Sequence, residues 1–159
     1  KRILLAGKIE DQINTVVRQI AFYDFECKLH EARSKGELSS DDINKLWMSI
    51  QGSSLGPAFE FMEGYETFWA YIPHFVHSPF YVYAYAFGDG LVNALYSAYE
   101  AGCPDFKQKY IDMLKAGGSQ HHTELLKPFG LDASDPKFWE LGLNLISNMI
   151  DELESLDDL

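Results

Sequence analysis

The chain has 159 residues, of which 47% are hydrophobic and 14% aromatic, which is enough for one folded core. No stretch reaches the roughly 20 uninterrupted apolar residues that a membrane helix needs. The 13 basic and 24 acidic side chains give a net charge of −11, a field that repels phosphate backbones and anionic lipid, so neither nucleic acid nor membrane is an expected partner.

The first predicted helix runs from Ile9 to Arg33, where apolar residues recur at steps of three and four. One stripe is formed by Ile9, Ile13, Val16, Ile20, Tyr23 and Cys27, and a second, nearly opposite, by Phe22, Phe25 and Leu29. A helix that is apolar on two sides packs between layers, as in a larger helical body. The opening Lys1–Ala6 also resembles a helix already in progress, so we expect a piece of a longer protein.

The next helices are predicted by their capping residues. Ser39 to Asp42 supplies an N-cap and acidic first-turn residues ahead of a second helix. A short helix is expected over Tyr65 to Tyr71, where Pro73 stops it. Between Pro79 and Gly102 the tyrosines alternate locally as in a strand, but the apolar pattern continues for about six helical turns. Pro79 in the first turn and Gly102 past the end favour a helix.

The remaining sequence predicts three more helices. They run from Pro104 to Gly117, from Ser119 to Phe129, and onward from the cap Asp135-Pro136, with an acidic tail from Asp151 that is expected to fray. The pattern shows no repeat and no linker. It therefore predicts an all-α multi-helix bundle, with residues 1–159 as a single helical segment.

The cysteines and most of the histidines carry no recognisable chemistry. Cys27 and Cys103 are far apart, which favours free thiols in a reducing compartment and hence a cytoplasmic protein. An HExxH zinc motif is absent, because His30-Glu31 lacks a second histidine and His121-His122 lacks the glutamate between them. We identify no metal ligands in this chain.

The stretch IPHFVHSPFYVYAYAFG, from Ile72 to Gly88, is different. Pro73 breaks a helix, His74 and His77 lie in the resulting turn, and tyrosines follow. On a helical wheel Tyr83 falls with Phe80 and Phe87, whereas Tyr81 and Tyr85 lie nearly opposite. Histidine and tyrosine donors can hold a substrate carbonyl and stabilise its developing oxyanion. From the residues alone, a buried tyrosine cluster with a core histidine remains the alternative.

Five stretches in order resemble the C-terminal part of the M3 family of zinc metallopeptidases, in its oligoendopeptidase F group. They are RQIAFYDFECKLHE, GELSSDDINKLW, IPHFVHSPFYVYAYAFG, YIDMLKAGGS and ELLKPFGLD, and the third is the most specific. The resemblance implies the C-terminal part of a larger all-helical metallopeptidase catalytic domain. That domain hydrolyses short peptides in a deep cleft, and its zinc is held by HExxH and a further glutamate, upstream of the region that this chain matches.

The resemblance also implies roles for individual residues. The family's substrate-contacting histidine corresponds to His74, and the tyrosine that assists the oxyanion corresponds to Tyr83. Tyr81 and His77 are expected as additional substrate-binding contacts. Because the zinc-binding part is missing, the chain alone is expected to be inactive, and its partners are short peptides, the missing N-terminal part and, as an open possibility, a second copy.

A free-standing helical module that binds peptides or a partner without catalysis is the alternative. The two hypotheses differ in the surface that they predict. A piece of a larger enzyme should expose a large apolar patch along Ile9, Ile13, Val16 and Ile20, where the missing part packs, whereas a self-sufficient module should not.

Overall fold

The computed structural model describes residues 1–156, which are mainly helical and contain no strand, as the all-α prediction requires. Eight α-helices occur in these residues: α1 Arg2–Gln12, α2 Arg18–Ser34, α3 Ser40–Leu55, α4 His74–His77, α5 Tyr83–Glu100, α6 Phe106–Ala116, α7 His122–Leu126 and α8 Pro136–Ser155. Short 3-10 helices cover Gly56–Ala58, Tyr65–Tyr71 and Lys127–Phe129. No helix in residues 1–156 is long and apolar enough to cross a membrane.

The contacts divide the chain into two compact units, each with its own apolar core. The central unit is Glu10–Phe87, and the terminal unit consists of Lys1–Ile9 and the residues from Gly88 onward. The domain prediction, a single helical segment, stays a prediction. In the terminal unit, the core gathers Ala94, Leu95, Leu126, Phe129 and Phe138.

Aromatic packing around Trp47 forms the core of the central unit. Trp47 on α3 and Phe25 on α2 are both fully buried, and their ring centroids lie 5.1 Å apart in an edge-to-face arrangement. Phe22 on α2 and Phe75 on α4 complete the contact, with Phe75 5.2 Å from Phe25. The indole Nε1 of Trp47 donates to the carbonyl of Tyr65 at 3.0 Å, so the 3-10 helix Tyr65–Tyr71 is held to the same core.

The predicted helix ends are largely confirmed. Helix α3 begins with the capping box that its sequence indicates, since the Ser39 side chain accepts from the Asp42 N–H and the Asp42 carboxylate accepts from the Ser39 N–H. Helix α8 begins at Pro136 under the cap of Asp135. The tail that was expected to fray from Asp151 is helical as far as Ser155, and residues 157–159 lie outside the described part of the chain.

Several helical predictions need correction. The helices predicted from Pro104 and Ser119 begin at Phe106 and His122. The long first helix contains a π-helical turn over Ile13–Val17, where the N–H of Arg18 donates to the carbonyl of Ile13. The helix that was predicted to begin at Pro79 begins at Tyr83 instead. Phe80 has a φ of 60°, a left-handed conformation that no α-helix contains, so the residues before Tyr83 form a turn.

The prediction of an exposed apolar patch along the first helix is also wrong. Ile9 and Val16 are buried within this chain and Ile13 is half-buried, which leaves Ile20, 47% exposed, as the exposed residue of the four. In the terminal unit, exposed apolar and aromatic side chains lie on α5 and α6 and line an open cavity of about 400 Å³. The cavity is lined by Val92, Leu95, Tyr96, Tyr99, Phe106, Lys107 and Tyr110.

The capping box generates a prediction about pH. Hydrogen bonds from the Ser39 side chain and backbone lower the pKa of the Asp42 carboxyl below its usual value. A lowered folded-state pKa contributes stability above the unfolded pKa, and that stability is lost as the pH falls through the folded value. Asp42→Asn should therefore lower the melting temperature at neutral pH, and its difference from the wild type should shrink toward about pH 2.

Asp41→Asn is the matched control, because Asp41 lies in the same first turn and its loss removes the same charge without a capping hydrogen bond. Thermal unfolding followed by circular dichroism at the two pH values measures both variants. Equal losses for the two variants at neutral pH would contradict the capping assignment.

Candidate functional site

Helix α4 places His74 at the edge of the aromatic core. Ile72, just before it, is buried, and Pro73 opens the turn with a φ of −66°. Phe75, which follows His74, packs its ring against Phe22 and Phe25. His74 itself is half-buried, so its ring is fixed by anchored neighbours on both sides and still reaches solvent.

The turn from Ser78 to Val82 contains Tyr81, the first tyrosine of the candidate site. The N–H of Tyr81 donates to the carbonyl of Ser78 at 3.2 Å, and Phe80 takes the left-handed conformation. Val82 is buried in the aromatic core with 1% of its surface exposed, whereas Tyr81 and Tyr83 on either side are 54% and 49% exposed. Alternation through this turn therefore buries the valine and presents two tyrosines.

His74, Tyr81 and Tyr85 form a group that we call the histidine–tyrosine cluster. The ring of Tyr81 is parallel to that of His74, at 2° and 6.3 Å between centroids. Tyr85 meets His74 edge to face at 5.9 Å, and its hydroxyl lies 3.3 Å from Nε2 of His74, within hydrogen-bond distance. The cluster presents one imidazole and two phenol hydroxyls on an exposed surface of the central unit.

Tyr83 lies apart from this cluster. Its ring packs edge to face against Tyr23 of α2, with centroids 5.6 Å apart. No hydrogen bond or ring contact joins Tyr83 to His74 within residues 1–156. A hydrogen bond with Cys27 is the main cause that raises the pKa of Tyr23, and the charge of Tyr83 contributes in the same direction. The structure thus places the two residues that the sequence selects on one exposed stretch, but it pairs His74 with Tyr85.

His77 is exposed at the end of α4, and its ring makes no hydrogen bond or ring contact with the cluster in the described part of the chain. Its backbone N–H donates to the carbonyl of Pro73 at 2.9 Å, which closes the single turn of α4. Of the four predicted site residues, the structure therefore joins His74 and Tyr81 and leaves Tyr83 and His77 as separate neighbours.

Sequence reasoning missed two residues of this region. The helical wheel puts Tyr85 on the same side as Tyr81, and this shared side is the sequence signal for its contact with His74. Glu26 is fully buried in α2, and its Oε1 accepts from the N–H of Phe80 at 2.9 Å. Nothing in the local pattern indicated Glu26, because its partner is 54 residues away in sequence.

The described residues offer no metal site. No group of three or more histidine, cysteine, aspartate and glutamate side chains among them is arranged to hold a metal ion. His121 and His122 are both exposed, and Nδ1 of His121 lies within hydrogen-bond distance of Oγ1 of Thr123. The residues present therefore do not fit a zinc centre. Cys27 and Cys103 are free thiols.

The arrangement can bind a polar group with partial negative charge. Imidazole N–H and phenol O–H groups donate hydrogen bonds, and aromatic faces beside them give an extended chain an apolar surface. A peptide carbonyl matches these donors, and an oxyanion formed from it matches them better because charge strengthens the hydrogen bond. The cluster alone has no activated nucleophile.

Comparison with known proteins assigns the class. The family model for peptidase family M3 matches residues 3–145, nearly the whole chain, and the chain belongs to that family. Membership agrees with the all-helical fold and with the resemblance seen in the sequence.

Individual relatives are named as oligoendopeptidases or oligopeptidases. The plasmid-encoded oligoendopeptidase F of Lactococcus lactis subsp. cremoris is 35% identical over 143 residues, which are 89% of this chain and 24% of that protein. Oligopeptidase PepF of Bacillus subtilis is 30% identical over 154 residues, 96% of this chain and 23% of that protein. The crystal structure of oligoendopeptidase-F from Enterococcus faecium superposes with a TM-score of 0.89 at 28% identity, covering 99% of this chain and 30% of that one.

The chain therefore spans about a quarter of the length of the curated relatives that it matches. The high structural similarity over this part shows that the chain has the fold of the corresponding part of an oligoendopeptidase.

The cluster geometry predicts a difference between two tyrosine hydroxyls. Tyr85→Phe removes the hydroxyl beside Nε2 of His74 and should shift the ¹⁵N resonances of that imidazole. Tyr83→Phe removes a hydroxyl from a ring that packs on Tyr23, and should leave them unchanged. Two-dimensional NMR of ¹⁵N-histidine-labelled protein measures both. Equal shifts in the two variants, or none in Tyr85→Phe, would show that the cluster does not form in solution.

Proposed function

We propose that this chain is the C-terminal, substrate-binding portion of a zinc-dependent oligopeptidase that hydrolyses short peptides. The observation that carries the proposal is the exposed histidine–tyrosine cluster in a chain of peptidase family M3. Family membership supports peptide hydrolysis as the reaction. The cluster supports a contact with the peptide, because its imidazole and phenol groups can donate hydrogen bonds to a peptide carbonyl oxygen.

The metal belongs to the part of the enzyme that this chain does not include. Residues 1–156 contain no ligand set, and the sequence has no HExxH, so we assign the zinc ligands to the length of the relatives that the chain leaves unmatched. Such a metal activates the attacking water. The residues of this chain contribute binding and polarisation of the carbonyl.

We assign His74 and Tyr83 to the scissile carbonyl. His74 is held by the core through Phe75 and reaches solvent, and the hydroxyl of Tyr83 has no hydrogen-bond partner within residues 1–156 and is open to a substrate. Tyr81 and His77 are assigned to substrate binding, as exposed side chains on the same stretch. The Tyr85 hydroxyl orients the imidazole of His74 in this scheme.

A cytoplasmic location is part of the proposal, and the two free thiols support it. A reducing compartment keeps such cysteines unpaired.

The complete reading frame that contains this sequence tests the function. We expect it to encode an HExxH motif ahead of Lys1, and its product should cleave a short fluorogenic peptide, lose activity with a chelator and regain it with zinc. Residues 1–159 alone should give no turnover. Peptide binding without cleavage by the complete product would contradict the proposal and identify a free-standing binding module instead.

Tyr83→Phe in that product tests the assigned role. Removing one donor to a developing oxyanion typically costs on the order of a hundredfold in rate, so kcat should fall by about that factor while KM changes little. Steady-state kinetics with the same peptide measures both constants.

Tyr99→Phe is the matched control, because Tyr99 is another exposed tyrosine on α5 and lies in the terminal unit. An unchanged kcat in Tyr83→Phe, or an equal loss in the control, would remove Tyr83 from the mechanism.

A further inference from the structure

Glu26 occupies an unusual position for a carboxyl group. It is fully buried on α2, beside the fully buried Phe25, and no cation pairs with it within residues 1–156. Its Oε1 accepts the hydrogen bond from the N–H of Phe80 at 2.9 Å, whereas its Oε2 has no hydrogen-bond partner among the described residues. Burying a carboxyl group costs free energy, and the hydrogen bond from the Phe80 N–H is the contact that offsets part of this cost.

The contact partner, Phe80, is held in an unfavourable conformation. Its φ of 60° places a bulky residue in the left-handed region, which glycine adopts readily and other residues rarely do. Two neighbours of Glu26 along the same face of α2 receive the Phe80 ring, His30 at 4.8 Å and Tyr23 at 6.2 Å between centroids. The side chain is thus seated by the residues one turn before and one turn after Glu26.

The conformation of Phe80 sets the direction of the residues that follow it. Tyr81 is next in the chain and lies parallel to His74, Val82 is buried in the core, and Tyr83 begins α5. A right-handed conformation at Phe80 extends the turn differently and moves both tyrosines away from these places. The hydrogen bond to Glu26 is the polar contact that holds the Phe80 backbone.

We propose that Glu26 is a positioning residue of the active site: its carboxyl group fixes the left-handed turn at Phe80 and thereby aims Tyr81 and Tyr83 at the substrate beside His74. The effect of Glu26 on catalysis rests on the proposed function. The effect of Glu26 on the turn is independent of that function and can be measured on this chain alone.

Two substitutions separate hydrogen bonding from packing. Glu26→Gln retains a carbonyl oxygen for the Phe80 N–H and places its NH₂ group at the side where Oε2 has no partner. Glu26→Met has similar length and no comparable acceptor. Gln51→Met is the matched control, because Gln51 is a fully buried polar residue of the same unit whose Oε1 accepts from the hydroxyl of Tyr65 at 3.3 Å and does not contact Phe80.

Hydrogen exchange and NMR of the chain give the first test. The wild-type Phe80 amide should be protected, and contacts between the rings of His74 and Tyr81 should be visible as nuclear Overhauser effects. In Glu26→Met the exchange of that amide should accelerate by about tenfold or more and the His74–Tyr81 contacts should weaken, whereas Glu26→Gln and Gln51→Met should keep both. When the amides of α3 are protected and the Phe80 amide of the wild type exchanges as fast as an unprotected one, the proposal is overturned, even if Glu26→Met does not fold.

Kinetics of the complete reading-frame product give the second test. Glu26→Met should lower kcat by about tenfold or more with KM within about threefold, Glu26→Gln should restore most of kcat, and Gln51→Met should leave kcat unchanged. A loosened turn in Glu26→Met with unchanged kcat overturns the positioning role. A product without peptidase activity refutes the proposed function, while the exchange data still decide whether Glu26 holds the turn.

Discussion

The edge-to-face packing of Phe25 against Trp47 is the contact on which the central unit depends. Both side chains are fully buried, and they join α2 to α3. Phe75 packs on the same pair and carries α4 with it, and the Trp47 indole holds the 3-10 helix through the carbonyl of Tyr65. Because His74 directly precedes Phe75, the place of the imidazole follows from the packing of this core.

A second, polar constraint acts on the other half of the site. The aromatic core fixes where α4 lies and buries Val82, but it leaves the backbone of Phe80 to a polar contact. The path from Ser78 to Tyr83 therefore also depends on the left-handed Phe80 and on the hydrogen bond to Glu26. Apolar packing thus determines the position of His74, and the buried carboxylate of Glu26 determines the direction of Tyr81 and Tyr83. The residues responsible, Phe25, Glu26 and Trp47, are buried on α2 and α3.

Much of the fold could be predicted from the sequence because its signals are local. The capping residues Ser39 and Asp135 gave the starts of α3 and α8, and helical periodicity favoured a helix over a strand for the tyrosine-rich stretch. The start at Pro79 was wrong because local rules admit a first-turn proline there, whereas a contact with Glu26, distant in sequence, stabilises a turn. The predicted apolar patch was wrong for a related reason. Periodicity identifies the apolar face of a helix but does not show which other part of the chain covers that face.

The family that the sequence resembles is the one that the comparisons show. The roles of His74, Tyr83, Tyr81 and His77 stay predictions. The pairing of His74 with Tyr85 was missed. A helical wheel treats Tyr81 as part of the helix that contains Tyr85, and it does not show which side of that helix faces α4. Side-chain pairing across a turn depends on backbone conformation that the residue types alone do not specify.

The most direct test of the central claim is a crystal structure of the complete reading-frame product with a non-hydrolysable peptide analogue bound. The account predicts the carbonyl that replaces the scissile one within about 3 Å of a nitrogen of His74 and of the Tyr83 hydroxyl. An analogue bound in the α5–α6 cavity of the terminal unit, with His74 and Tyr83 free of contact, would contradict it.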